Sequence, residues 1–221
     1  MAPFLPRELE KRSNKTLKSI DFARNSITTI DQSLQAFSNL IYLDLSYNLI
    51  EKIEHLEHCT RLQHLNLSHN KIESLEGINQ HVGNVKTLDI SFNRLKSLEG
   101  LTKCGVEVLD VSNNLIQTLA DAKQVGQLPL VRAISFIGNP LSRIVDYRVK
   151  MLHLFGERCH ELLIDNQPSL EDELDRVAVL IALQQANLDV TSSQSNGDHR
   201  VSPRISNSSF NRISIGSQSA S

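Results

Sequence analysis

The 221-residue sequence predicts an α/β solenoid, built of stacked coils of about 22 residues, with a parallel sheet on its concave side and a helical C-terminal cap. Three observations predict it. A five-point frame, Leu40-x-x-Leu43-x-Leu45-x-x-Asn48-x-Ile50, returns as Leu62, Leu65, Leu67, Asn70, Ile72, then as Val85, Leu88, Ile90, Asn93, Leu95, and then as Val106, Leu109, Val111, Asn114, Ile116. A first copy reads Leu17, Ile20, Phe22, Asn25, Ile27 and a last one Val131, Ile134, Phe136, Asn139, Leu141, so the asparagines follow one another at 23, 22, 23, 21 and 25 residues. The frame then stops at Asn139-Pro140, and apolar residues at helical spacing take over.

This is the pattern of leucine-rich repeats. Alternate apolar positions such as Leu43 and Leu45 form the inward face of a short strand. The asparagine ends the strand, where its amide can satisfy backbone groups of adjacent turns. Ile50 and Ile53 turn back into the core from the outer wall, and one coil closes its apolar edge only against the next. The second halves, as in Leu75-Glu76-Gly77-Ile78, are too short for a full helix, so 3₁₀ or irregular outer turns are expected, with a helical turn at Asp31–Phe37. Cys59 and Cys104 occupy equivalent positions, eleven residues after a frame asparagine, and are expected to be buried, inert thiols.

Beyond the frame, Asp146–His160 predicts an amphipathic helix with Asp146 as its cap and Val149, Leu152, Phe155 and Cys159 on one face. Leu162-Leu163-Ile164 reads as a last edge strand. Ser169-Leu-Glu-Asp172 resembles a capping box opening a second helix with Leu170, Leu174, Val177 and Ile181 on one face. Thr191–Ser221 holds eleven serines and one phenylalanine, too little apolar area to offset ordering entropy. The expected organisation is a flank over 1–16, six leucine-rich repeats over 17–142, a helical cap over 143–186 and a disordered serine-rich tail over 187–221. Arg204-Ile-Ser206, Arg212-Ile-Ser214 and Ser202-Pro203 make Ser202, Ser206 and Ser214 candidate phosphorylation sites.

Composition narrows the function. A net charge of -2 gives no general pull toward nucleic acid or anionic membrane. No apolar run is long enough to span a bilayer. Three cysteines without a secretory signal point to a reducing compartment. No Gly-rich phosphate loop and no Gly-x-Ser-x-Gly elbow are present, so no cofactor and no enzymatic activity are expected. His55, His58 and Cys59 fall in an outer turn while His64 opens a strand, so they do not converge on a metal.

The concave face carries the functional signal. Outward strand positions lie six, four and two residues before each asparagine. The middle column reads Asp21, Asp44, Asn66, Asp89, Asp110, Ser135, an acidic row. The column six before reads Ser19, Tyr42, His64, Thr87, Val108, Ala133, and that two before reads Ala23, Ser46, Ser68, Ser91, Ser112, Ile137. Just before the asparagines stand Arg24, Tyr47, His69, Phe92, Asn113 and Gly138. Acids beside rings suit a basic, partly apolar protein surface and repel nucleic-acid phosphates. The candidate partner-binding residues are Tyr42, Asp44, Tyr47, His64, Asn66, His69, Asp89, Phe92, Asp110 and Asn113. The aspartates also have a bland reading, because Leu-Asp-Leu-Ser-x-Asn is the generic strand of this repeat. A hydrolase using Asp89 and Asp110 as paired carboxylates is a rival from another class, with no nucleophile or oxyanion donor to support it.

Asn139-Pro140-Leu141, Asp146-Tyr147-Arg148, Phe155-Gly156-Glu157-Arg158 and Glu173-Leu174-Asp175 resemble the end of the leucine-rich region of the nischarin (imidazoline receptor) family, as does Gly83-Asn84-Val85-Lys86-Thr87-Leu88 upstream. The resemblance spans about residues 4–186. It implies a cytosolic, endosome-associated adaptor linked to integrin α cytoplasmic tails, Rac-pathway kinases, endosomal small GTPases and restraint of cell migration. That family has a phosphoinositide-binding PX domain ahead of its repeats. This chain begins just before its first repeat, so phosphoinositide binding is not expected of it. The Leu-Glu-x-Leu style of the short repeats is shared with phosphatase regulatory subunits, which are the alternative within binding modules.

Overall fold

The computed structural model describes residues 16–78, 85–101 and 104–195, with side chains as far as residue 188. Ser202, Ser206, Ser214 and nearly all of the 1–16 flank lie outside the described residues. Compact units run Met1–Ala182 and Leu183–Ser221. The first holds an eight-stranded sheet in chain order: β1 (Ser19–Asp21), β2 (Tyr42–Asp44), β3 (His64–Asn66), β4 (Thr87–Asp89), β5 (Val108–Asp110), β6 (Ala133–Ser135), β7 (Leu163–Ile164) and β8 (Gln167–Pro168). β1 through β7 pair in parallel. Each repeat strand is three residues long with its central residue buried, as alternation requires. The frame leucines, isoleucines and valines of successive coils merge into one continuous core.

The frame asparagines stitch the coils together. Asn70 donates from Nδ2 to Leu45 O (2.9 Å), Leu67 O (3.0 Å) and Ser68 O (3.2 Å), while its Oδ1 accepts from Ile50 N. Asn48, Asn93, Asn114 and Asn139 each reach into the preceding coil in the same way. Leu45 O, Leu67 O, Ile90 O and Val111 O are each shared by two successive asparagines. The amide therefore replaces the ladder partners that the chain loses where it leaves the strand.

The outer wall differs from expectation at two places. Asp31–Phe37 forms a 3₁₀ turn, Gln32–Ala36, rather than α-helix, capped by Asp31 through Ser33 N. The fifth coil, with the widest asparagine spacing, has room for α1 (Leu119–Ala122) and a 3₁₀ turn, Lys123–Gln127. A reciprocal Thr118–Asp121 capping box starts α1.

The cap also departs from the sequence reading. α2 spans only Tyr147–His153, and a 3₁₀ turn, Gly156–Glu161, follows. Gly156 adopts φ +56°, which ends the α-helix. Asp146 does not cap: it sits at φ 58°, where its side chain cannot reach the first N–H groups, and pairs with Arg176 instead. Val149, Leu152, Phe155 and Cys159 are nevertheless all buried. β7 pairs with β6, and a turn with Asp165 and Asn166 at φ 56° and 61° folds the chain back as β8. Pro168 blunts that sheet edge.

α3 spans Glu171–Ser195. Only half of the expected capping box forms, one residue later than the sequence suggests, with Leu170 at the N-cap. Ser169 Oγ donates to Cys159 O (2.6 Å), and Glu173 Oε2 accepts from Leu170 N (3.0 Å). Val177 is buried, with Leu174 and Ile181 packed against the core, but Leu170 is exposed. The helix continues through Ser195, past the composition change at Asn187 where a disordered tail is expected.

All three cysteines are buried and unbridged. Burial pushes the Cys59 thiol up to about 11, with Glu57 adding to it, and burial pushes Cys104 to about 11. The native protein is therefore expected to react with Ellman's reagent at pH 8 only at its unfolding rate, releasing three equivalents in denaturant. A fast equivalent under native conditions would contradict this packing.

Candidate functional site on the concave sheet

The outward columns line up residue for residue across β1–β6. Asp21, Asp44, Asn66, Asp89, Asp110 and Ser135 are direct register partners, as are Ser19, Tyr42, His64, Thr87, Val108 and Ala133. The acidic row has a local reason to exist. Oδ1 of Asp21, Asp44, Asp89 and Asp110 accepts from the N–H two residues on, at 2.8, 2.8, 2.9 and 2.8 Å, closing an Asx turn where each strand ends. Asn66 Oδ1 makes the same bond to Ser68 N (3.0 Å). The generic reading of the aspartates thus acquires a mechanism, which engages one oxygen of each carboxylate.

Asn66 fills the gap in the row as a neutral donor, its Nδ2 reaching Asp44 Oδ2 at 3.1 Å. Tyr42 OH donates to the same oxygen at 3.3 Å. Burial, then the Asp44 charge and hydrogen bond, raise the Tyr42 phenol above its ordinary value, and Asp21 and Asp89 add to the effect. Negative potential from three coils therefore converges near Tyr42. His64 lies half-buried beside it, the rings 6.3 Å apart and tilted 40°.

The column before the asparagines forms a continuous stack. Arg24, Tyr47, His69, Phe92 and Asn113 all adopt left-handed backbone, φ between 53° and 62°, and Gly138 follows at 78°. The Arg24 guanidinium lies 4.1 Å from the Tyr47 ring centroid. Tyr47 and His69 stack at 4.0 Å and 10°, and His69 and Phe92 at 4.1 Å and 11°. Left-handed backbone costs about 1–2 kcal/mol per non-glycine residue. Each ring pair returns about 0.5–1.5 kcal/mol, so the two stacked pairs offset part of that strain. Gly138 closes the column because a Cβ there would lie 2.3 Å from Asn113 Oδ1.

Between acids and rings the serines differ from expectation. Ser46, Ser68, Ser91 and Ser112 point outward in the frame, yet they are buried. Tyr42, Tyr47 and Phe92 are exposed. Arg24 is the group that the candidate list omits; its place in the ring column was the available signal. Asp89 and Asp110 are register neighbours on an open sheet, each with an oxygen committed to a main-chain N–H. Among the described residues, no three His, Cys, Asp or Glu side chains gather as a metal site, and no helix is long and apolar enough to cross a membrane.

Comparison with known proteins agrees with this architecture. A family described as "Leucine rich repeat" matches residues 15–72, and one described as "Leucine Rich repeats (2 copies)" matches 60–103. A chain in the crystal structure of the Drosophila melanogaster SNF/U2A′ complex is similar over 85% of this chain and 98% of its own, at 22% identity and a TM-score of 0.52. The leucine-rich-repeat ectodomain of the receptor kinase SOBIR1 from Arabidopsis thaliana is 26% identical over 54% of this chain and 69% of its own, with a TM-score of 0.42. With an in-register sheet on one side and frame asparagines bridging the coils, the chain folds as a leucine-rich-repeat solenoid.

Proposed function

We propose that this chain is a non-enzymatic protein-interaction scaffold whose concave sheet receives a basic, partly apolar segment of a partner protein. The observation that carries the reading is the acidic row of Asp44, Asp89 and Asp110 beside a ring column in which half-buried His69 is stacked between exposed Tyr47 and Phe92. Both columns are fixed by main-chain geometry before any partner arrives, which lowers the entropy cost of binding. Tyr42, His64, Asn66 and Asn113 border the same surface.

The finer assignment is a nischarin-like cytosolic adaptor, associated with endosomes and engaging integrin α cytoplasmic tails, Rac-pathway kinases or endosomal small GTPases. The resemblance of the cap segments supports it. Copurification of a phosphatase catalytic subunit with this chain would favour the regulatory-subunit alternative.

The test exploits Asn66. Asparagine keeps the Asx turn that aspartate makes, so Asp44→Asn/Asp89→Asn removes two charges while leaving the strand ends capped. A fluorescein-labelled peptide carrying four arginines is expected to bind the double variant about tenfold more weakly, with a shallower salt dependence. Unchanged affinity and salt slope, with an unchanged thermal midpoint, would remove the concave face from the site.

A further inference from the structure

The concave sheet is not uniform along its length. In the column that opens each strand, the residues run Ser19, Tyr42, His64 and Thr87, then change to Val108 and Ala133. The sequence frame ends at Ala133, but the structure carries the column one strand further, where Leu163 of β7 pairs with Ala133. Val108 and Leu163 are 43% and 42% exposed, and Ile137, just beyond β6, is 48% exposed. The acidic row stops over the same strands, Asp110 giving way to Ser135. Asp165, in the turn that follows β7, accepts from Phe136 N through its Oδ1 at 2.8 Å.

We infer that the concave site is bipartite, with an acidic, ring-lined half over β2–β5 and an apolar half formed by Val108, Ala133, Ile137 and Leu163. Its occupant is one continuous partner segment, basic at one end and apolar at the other, laid across the strands. The two halves join within β5, where Val108 and Asp110 stand two residues apart on one face, so a single segment crosses from one to the other without leaving the sheet. From β2 to β7 are five strand steps, about 24 Å at the usual spacing. A fully extended segment needs at least about seven residues to cover that distance. Charge complementarity places its basic end over Asp44 and Asp89. Its aliphatic side chains then fill the end where Ser135 interrupts the acidic row and Asp165 is engaged by Phe136 N.

This inference rests on the concave-face reading, and its test separates the two. Two labelled 12-residue peptides share a half containing four arginines; the second half is Gly/Ser in one and Leu/Val in the other. The native chain is expected to bind the Leu/Val peptide at least tenfold more tightly. That gain is expected to vanish in Val108→Thr/Leu163→Thr, which keeps β-compatible residues at exposed positions, while the affinity for the Gly/Ser peptide stays within twofold. Equal binding of both peptides by the native chain, or a gain that survives in the double variant, overturns the bipartite site and leaves the basic-segment reading standing. If neither peptide binds, both fall. Variant circular dichroism and thermal midpoints matching the native chain show that any loss is not unfolding.

Discussion

Replacing Asn93 by alanine is expected to destabilise the solenoid by about 2–4 kcal/mol, measured as a lowered guanidinium midpoint. The magnitude follows from which partners are left alone. Asn93 Oδ1 accepts from Ile72 N at 2.9 Å, and the substitution removes that acceptor from a buried N–H, at about 1–3 kcal/mol. The three carbonyls fare better. Leu67 O keeps Asn70, Ile90 O keeps Asn114, and Ser91 O keeps the N–H of His69. Each loses a second donor rather than its only one. The small void left by the amide adds to the cost. Asn93→Asp separates the two functions of the side chain, since a carboxylate accepts from Ile72 N but faces three carbonyls that it cannot donate to. It is expected to be at least as destabilising at pH 7 and to recover as acid protonates it. Asn25→Ala is the control: that asparagine is exposed, donates to Ala23 O, and has no preceding described coil to reach, so its loss is expected to cost under about 1 kcal/mol. An Asn93→Ala protein as stable as the native chain would mean that the coils are held by apolar packing alone.

The repeat was legible because it is redundant. A five-point frame with an asparagine at its turn states strand, register and inward face together, and the columns counted from it coincide with the observed pairing. The cap was less legible because its contacts are single and distant. Nothing local indicates that Arg158 hydrogen-bonds Leu128 O and Val131 O, or that Ser169 turns back to Cys159 O rather than capping its own helix. Helical spacing over 146–160 buried the right side chains but missed the break, because only Gly156 marks it. The β7–β8 hairpin had a readable signal in Asp165-Asn166, two residue types that tolerate positive φ. At the site, residue columns could be counted, but stacking could not. That Tyr47, His69 and Phe92 close to about 4 Å follows from the left-handed backbone each shares. Asp146, Arg148 and Glu173 have the evident task of holding the cap.

That task gives the second large effect. Arg148→Met is expected to destabilise the protein by about 2–4 kcal/mol and to open the cap before the coils. Arg148 Nε and Nη2 grip both oxygens of Glu173 at 2.6 and 3.1 Å, while Nη1 reaches Ile164 O at 2.6 Å and Nη2 reaches Pro168 O at 2.9 Å. One guanidinium thus ties α2, β7, β8 and the first turn of α3 together. Truncating it leaves the buried Glu173 carboxylate with the Leu170 N–H but without its counter-charge. The hydrogen bond from Arg148 is the chief reason that the Glu173 carboxyl is held below the ordinary glutamate value. The depressed folded-state value sets the sign: this stabilisation is complete above the unfolded value, about 4.3, and fades as pH falls toward and through the folded one. Glu173→Gln is therefore expected to lose stability at pH 7 and show a flatter acid limb than the native chain. Cys159 supplies a local readout. Its carbonyl is held by Ser169 and its thiol is buried beneath the cap, so in Arg148→Met one thiol should gain reactivity ahead of global unfolding while Cys59 and Cys104 stay protected. Simultaneous exposure of all three would show that cap and coils unfold as one unit, and that the Arg148–Glu173 clasp stabilises the whole array rather than its end.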